Sequence, residues 1–395
     1  MDQNQNGLKK FPKGFLFGSA TSAFQTEGYN FNTDWHEWEK TGATTDHITD
    51  HPAADSWHKW QEDINLLKTT HQNAYRFGVE WARIEPEEGK FSLDAINHYR
   101  NILVELKKNK ISAMVTLHHF TIPLWLAKKN GVLNNKFPFY FTRFAKKVIS
   151  EIGNLADLWT TINEPKVYIL DGIIRGKFPP NQKNYWHAFL ARKNFIKAHI
   201  SAYRSIKKIN KQIKIGINQN LTTYEPAENN FLNKILTRIV RFVDADIFIR
   251  PTNKYTDFLG INYYRKYLIQ AKKPFAKEAG SIKNEYGWNI NQEGLYQLIM
   301  ENLKWHKPIY ITENGVPDEF DKIRAQFINE ALENILKTIC KGADVRGYFY
   351  WSLLDNFELA EGYIMKFGLA DINRHLRPSA LVYKKLIDKY NSIYN

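Results

Sequence analysis

The chain has 395 residues, of which 43% are hydrophobic and 24% charged, and it carries a formal net charge of +14. This composition is ordinary for a globular protein, and the single cysteine, Cys340, excludes an intramolecular disulfide. The polar start lacks a signal-type apolar segment, and no run of roughly 20 apolar residues occurs. The sequence therefore predicts a cytoplasmic protein without a membrane partner.

The excess of basic residues raises the question of an acidic partner, such as a nucleic acid or a phosphorylated substrate. The lysines and arginines are spread in small groups at the ends and polar faces of predicted helices rather than in one block. We therefore predict solvated helix faces and no nucleic-acid partner. The 14% share of aromatic residues suits a protein that stacks sugar rings, although a large core explains it equally well.

Apolar β-type runs alternate along the chain with amphipathic stretches, which predicts a parallel sheet with crossover helices. The eight predicted strands are 15–21, 74–81, 113–120, 158–163, 213–218, 257–263, 309–312 and 345–351. The predicted helices are 55–71, 93–109, 138–152, 185–209, 293–303, 321–341 and 379–390, with a less regular helical region at 231–248. Eight strand–helix units indicate the α/β class and a (β/α)8 TIM barrel, a single domain over 1–395 with 1–10 as a flexible tail.

Two further expectations concern individual helices. Asp55 is predicted to cap the first long helix, whose apolar stripe includes Ile64 and Leu67 at near 3.6-residue spacing. Cys340 is predicted to lie on the buried face of the helix 321–341 and to be structural.

Two glutamates stand where a predicted strand opens into a loop. Glu164 follows the strand 158–163, and Glu313 follows the strand 309–312. The C-terminal strand ends of such barrels converge on one face, so these carboxyl groups can meet although 149 positions separate them (313 − 164). Glycoside cleavage needs such a pair, because one carboxyl protonates the leaving group while the other attacks or activates water. The pair therefore indicates glycoside chemistry.

Several motifs extend this indication along nearly the whole chain. They occupy residues 15–28, 75–84, 116–120, 161–165, 258–264, 311–315 and 350–358. In content and order they resemble the β-glycosidases of glycoside hydrolase family 1. The resemblance implies a retaining enzyme that hydrolyses small β-linked glycosides from the non-reducing end, with no cofactor and no metal.

The resemblance also implies roles for single residues. Glu164 matches the general acid/base and Glu313 the nucleophile, with carboxyl groups roughly 5–5.5 Å apart. Arg76 and Tyr264 match the residues that hold the nucleophile. The residues implied to bind the substrate are Gln25, His119, Asn163, Asn262, Trp288, Trp351 and Glu358. His118 is expected to point away from His119, because strand side chains alternate.

The chain departs from the family pattern at two positions. Leu359 and Phe120 stand where tryptophan is common, so two indole N–H donors are missing. We predict weaker discrimination at the sugar O3 and O4, admitting glucosides, galactosides and fucosides. The chain is also shorter than most relatives, which predicts a more open mouth.

Two alternatives and the oligomeric state stay open at this point. A 6-phospho-β-glycosidase is disfavoured because Glu358 would repel a phosphate. A non-catalytic sugar-binding barrel typically loses one of the two glutamates, and this chain keeps both. The sequence leaves open whether the protein forms a homo-oligomer.

Overall fold

A computed structural model describes residues 10–48, 52–271, 273–276 and 283–391, with the backbone alone for 273–276. The strands are β1 (Leu16–Ala20), β2 (Ala74–Gly78), β3 (Ser112–His118), β4 (Leu158–Asn163), β5 (Lys214–Pro226), β6 (Phe258–Gln270), β7 (Lys273–Ala276), β8 (Ile309–Asn314) and β9 (Val345–Trp351). Their order is β5-β4-β3-β2-β1-β9-β8-β6-β7, and β5 also pairs with β6. Eight parallel strands therefore close into a barrel, and β7 is an antiparallel addition to β6. The (β/α)8 prediction is confirmed.

Helices connect the strands and cover the outside of the barrel. They are α1 (Ala23–Glu27), α2 (Asp34–Glu39), α3 (Ser56–Thr69), α4 (Trp81–Ile84), α5 (Leu93–Lys108), α6 (Leu124–Ala127), α7 (Phe137–Ile152), α8 (Pro165–Val167), α9 (Tyr185–Ile209), α10 (Phe231–Arg241), α11 (Ile247–Thr252), α12 (Glu293–Asn302), α13 (Arg324–Cys340) and α14 (Pro378–Asn391). The seven predicted long helices agree with these bounds to within three residues. The predicted tail 1–10 lies outside the described residues except for Lys10.

The core has three parts, which follow from the alternation of strand side chains. Inward-facing residues such as Met114, Phe258 and Phe349 fill the barrel interior. Two larger apolar clusters pack between the outer face of the sheet and the helices. The interior cluster ends at Trp351, where β9 reaches the C-terminal face of the barrel.

Two expectations need correction, and a third is confirmed in more detail. Asp55 precedes α3 but makes no capping hydrogen bond, because its backbone is left-handed (φ 52°) and its carboxylate pairs with His58 at 2.6 Å. Cys340 is exposed, since it is the last residue of α13 and lies one position beyond the buried Ile339. The region 231–248 is helical, as predicted, and its irregularity is a π-helical turn, Phe242–Asp246, between α10 and α11.

The strands β5 and β6 are much longer than predicted. Each has 13 residues, and their pairing continues to Pro226 and Ile269, beyond the rim of the barrel. This two-stranded extension carries α10 against its side. In the described part of the chain, no helix combines the length and the apolar character needed to cross a membrane.

Candidate active site

Both glutamates lie at the C-terminal face of the barrel, at the ends of β4 and β8. The runs Leu158–Asn163 and Ile309–Asn314 are entirely buried, which fixes the positions of the groups at their ends. Glu164 follows β4 in the left-handed region (φ 46°), immediately before Pro165 begins α8. Glu313 belongs to β8 and is placed opposite Asn262 of β6 in the sheet register.

Glu313 is contacted by a cation and a phenol. Arg76 Nη1 donates to its Oε1 at 2.6 Å, and Tyr264 Oη donates to its Oε2 at 2.7 Å. Arg76 is fully buried, and its other donors bond to Thr312 O at 2.9 Å and Asn163 Oδ1 at 2.6 Å. Both carboxylate oxygens therefore have a strong donor, and the positive charge lies on this side of the pair.

Among the described residues, the side chain of Glu164 accepts hydrogen bonds from neutral amides only. Asn262 Nδ2 and Asn220 Nδ2 both donate to its Oε1, at 2.7 and 2.9 Å. Burial, and then the negative charge of Glu313, raise the pKa of Glu164 to about 7, although the two amide hydrogen bonds act in the opposite direction. Glu164 therefore has the proton affinity that a general acid needs near neutral pH.

Asn262, which was also predicted to bind substrate, is fully buried and hydrogen-bonds to side chains of the site. Its amide donates to Asn163 Oδ1 at 3.1 Å as well as to Glu164, and its oxygen accepts from Thr312 Oγ1 at 2.6 Å. These contacts indicate that Asn262 positions the neighbouring side chains.

Four of the residues predicted to bind sugar form a connected group. Trp351 Nε1 donates to Glu358 Oε1 at 3.0 Å, and Gln25 Nε2 approaches Glu358 Oε2 at 3.4 Å. The ring of His119 lies nearly parallel to that of Trp351, with 5.9 Å between centroids. Burial raises the pKa of Glu358 to about 8 and lowers the pKa of His119 well below its usual value. The group thus offers an aromatic face beside neutral hydrogen-bonding groups.

The remaining two predicted residues also belong to this region. The amide Nδ2 of Asn163 lies 3.1 Å from His119 Nε2, which connects this group to the carboxylates. Trp288 stacks on Tyr286 at 4.3 Å and lies 6.3 Å from Tyr264, the residue that holds Glu313. His118 points the other way, as predicted, because it is buried against Phe137 and Phe195 of the helical layer.

Sequence reasoning missed Asn220 and Asn218. Both are on β5, two positions apart, so their side chains lie on the same face of the strand. In the amide orientation that satisfies its neighbours, Asn218 Oδ1 accepts from Arg76 Nη2 at 2.8 Å. Two asparagines alternating on a buried strand were the available signal, because a buried amide needs a polar partner. Within the described residues, no cluster of His, Cys, Asp and Glu has the arrangement of a metal site.

A (β/α)8 barrel with this pair of buried carboxyl groups defines a glycoside hydrolase. The family profile for glycosyl hydrolase family 1 matches residues 8–252 and 237–392, and the chain belongs to that family. The protein is therefore an enzyme of the retaining β-glycosidase type.

The sequence is similar to those of individual relatives along nearly their full length. The chain is 30% identical to β-glucosidase A of Thermotoga maritima, covering 93% of this chain and 94% of that one. It is 29% identical to a 1,4-β-D-glucan glucohydrolase of Thermotoga neapolitana, covering 96% and 98%. That alignment spans 438 positions, more than the 395 residues present here, so this chain lacks segments of the relative.

The fold is also similar to those of solved structures. A β-glycosidase from Pyrococcus horikoshii superimposes with a TM-score of 0.88 at 33% identity, covering 95% of this chain and 94% of that one. A β-glucosidase from Thermotoga maritima, solved in complex with glucoimidazole, gives a TM-score of 0.91 at 28% identity, covering 97% and 99%.

Proposed function

We propose that the enzyme hydrolyses β-glucosides by double displacement, with Glu313 as the nucleophile and Glu164 as the acid/base. The observation that carries the assignment is the unequal environment of the two carboxyl groups. Glu313 is bonded to the Arg76 guanidinium, whereas Glu164 is bonded only to amides and has a raised pKa. An anionic nucleophile and a protonated acid need these two environments.

In the first step Glu313 attacks the anomeric carbon, and Glu164 gives its proton to the departing glycosidic oxygen. The new bond is an ester between sugar and Glu313, and the aglycone leaves as an alcohol. Esterification removes the negative charge of Glu313, which was one cause of the raised pKa of Glu164. Glu164 can then lose its proton and activate the water that releases the sugar with retained configuration.

We further propose that Trp351 is the platform under the bound sugar, with Gln25, His119 and Glu358 bonding to its hydroxyl groups. Asn163 is assigned to the sugar 2-hydroxyl and Trp288 to a wall of the leaving-group site. Leu359 and Phe120 cannot donate a hydrogen bond, so the proposal includes β-galactosides and β-fucosides as substrates. A 6-phosphoglycoside is not favoured, because Glu358, which accepts from Trp351 Nε1 at 3.0 Å, offers a phosphate no positive charge.

Azide rescue separates the two catalytic roles. We expect Glu313→Gly to lose hydrolysis and, with azide, to form the α-glycosyl azide, since azide enters where the nucleophile was. Glu164→Gly should still form the glycosyl-enzyme from a 2,4-dinitrophenyl glycoside and give the β-azide. The reverse pattern of anomers would overturn the assignment.

The substrate range is measured with a panel of aryl β-glycosides. We expect the kcat/KM values of the glucoside, galactoside and fucoside to lie within about tenfold, because a lost hydrogen bond is worth roughly 1 kcal/mol. A strong preference for one sugar contradicts the proposed range but leaves the mechanism intact. A cytoplasmic location also remains a proposal from the sequence, which cell fractionation tests.

A further inference from the structure

The helix α10 and the π-helical turn that follows it expose large apolar side chains and bury polar ones. Phe231 is 80% exposed, and Leu232, Ile239, Phe242 and Val243 are each about half exposed. The residues of α10 that face inward are instead Asn233 and Thr237. This is the reverse of a helix that packs its apolar stripe on a core. We call the five exposed residues the α10 stripe.

Cations border the α10 stripe. Its members lie at 231, 232, 239, 242 and 243, which repeat along one side of a helix about 20 Å long. Lys234 and Arg238 are exposed on the same helix, and the Arg250 guanidinium carbon lies 5.9 Å from the ring centroid of Phe242. The stripe therefore combines apolar surface with positive charge.

The two carboxylates of this segment pair with cations other than Lys234 and Arg238. Residues 231–250 are all described and contain two acids, Asp244 and Asp246, which are both buried. Asp244 pairs with Lys166, and Asp246 pairs with Lys304 at 2.9 Å and with Arg250 at 3.4 Å. The exposed charges of the α10 segment are consequently all positive.

The exposed apolar residues and the positive charges together favour one kind of binding partner for the stripe. A second copy placed on the stripe by a two-fold axis perpendicular to the helix would bring the Lys234 and Arg238 side chains of both copies together, on a chain of net charge +14. An anionic lipid surface instead offers an apolar layer for the stripe and negative headgroups for its cations. We propose that the α10 stripe docks the enzyme on anionic lipid bilayers, as an interfacial and not a spanning element.

Docking would place the catalytic face close to the bilayer. Asp244, which follows the stripe directly, pairs with Lys166, two residues after Glu164. It also accepts from Thr222 N at 3.2 Å and from Tyr224 Oη at 2.9 Å on the extension of β5. The sequence-based prediction of no membrane partner rested on the lack of a spanning segment, and interfacial binding needs none.

Co-sedimentation with vesicles tests the proposal. We expect the full chain to bind vesicles in which about a third of the lipid is phosphatidylglycerol, and to bind phosphatidylcholine alone at least about tenfold more weakly. High salt should weaken binding, because the headgroup attraction is screened. A protein that stays in the supernatant with anionic vesicles overturns the proposal.

Matched variants distinguish vesicle binding by the α10 stripe from binding by exposed apolar or basic residues elsewhere on the surface. Phe231→Ser, Ile239→Ser and Phe242→Ser together should weaken binding at least about tenfold, as should Lys234→Gln with Arg238→Gln. The apolar control is Leu93→Ser, Val104→Ser and Leu381→Ser, which removes similar exposed residues from other helices. The charge control is Lys107→Gln with Lys110→Gln.

The melting temperature and the hydrolysis of an aryl β-glucoside should be unchanged in the stripe variants, which shows that they are folded. Equal binding by stripe and control variants overturns the proposal. So does a stable dimer of the unmodified chain that the serine variants convert to a monomer, because the occupant is then a second copy.

Discussion

The hydrogen bond from Asn220 to Glu164 should set the pH at which the enzyme loses its general acid. Asn220 Nδ2 donates at 2.9 Å to Glu164 Oε1, and this bond favours the ionised carboxylate. Glycosylation needs Glu164 protonated, so kcat/KM should fall as the pH rises through the pKa of about 7. Asn220→Ala removes the donor, and the basic limb of the kcat/KM profile should move upward.

The size of the shift follows from the strength of the bond. A hydrogen bond to a charged group contributes about 1.5–3 kcal/mol, and one pKa unit corresponds to about 1.4 kcal/mol. Asn262 still donates to the same oxygen at 2.7 Å, which favours the lower end of the range. We therefore expect the basic limb to rise by roughly one pH unit.

The assay compares two substrates and two variants. Phenyl β-glucoside needs acid assistance and should report the shift, whereas a 2,4-dinitrophenyl glucoside needs little and should show a weak basic limb in every variant. Gln219→Leu is the matched control on β5, because Gln219 is buried on the opposite face of the strand. A basic limb that is unchanged or lowered in Asn220→Ala refutes the reasoning.

Three further predictions follow from single contacts. Tyr264→Phe removes the 2.7 Å bond to Glu313 and should lower kcat/KM by roughly 10- to 100-fold, and a smaller effect means that Arg76 alone holds the carboxylate. Leu359→Trp with Phe120→Trp should favour glucoside over galactoside and fucoside in the aryl-glycoside panel, and an unchanged ratio contradicts the role given to these positions. Burial lowers the pKa of His118 to about 3, so its neutral form is held in the folded protein while the unfolded chain takes up a proton below about pH 6.5. The free energy of unfolding should therefore fall as the pH drops from about 6.5 towards 3. His118→Phe should remove about 2 kcal/mol of that loss at pH 5, which urea unfolding at pH 5 and 8 measures. Equal pH dependence of the unfolding free energy in the variant and the unmodified protein contradicts this reasoning.

The barrel could be predicted from the sequence because buried parallel strands consist of continuous runs of apolar residues. The run Leu158–Asn163 was predicted to the residue. The long ends of β5 and β6 were missed, because beyond Asn218 and Tyr263 their residues are largely polar and pair with each other outside the barrel wall. The apolar content of a segment does not predict a strand that is stabilised mainly by pairing with one neighbouring strand.

The errors at helix ends have the same origin. A cap requires a side chain and a backbone conformation together, and the left-handed backbone at Asp55 directs its carboxylate to His58 and not to α3. In α13 the buried stripe passes through Ile335 and Ile339, so Cys340 is rotated by about 100° from it. The sequence therefore predicts the periodicity of a helix more reliably than the burial of its last residue.

The two carboxyl groups are joined by one chain of hydrogen bonds, and this explains why their roles differ. Arg76 bonds to Glu313 and to Asn163 Oδ1, Asn262 bonds to the same Asn163 oxygen and to Glu164, and no bond in the chain is longer than 3.1 Å. The cation lies at the Glu313 end, and only amides reach the Glu164 end. A displacement of Arg76 would therefore alter the position of Asn163 and, through Asn262, that of Glu164. The division of labour is a property of the connected network, and substitutions within it should have non-additive effects on kcat/KM.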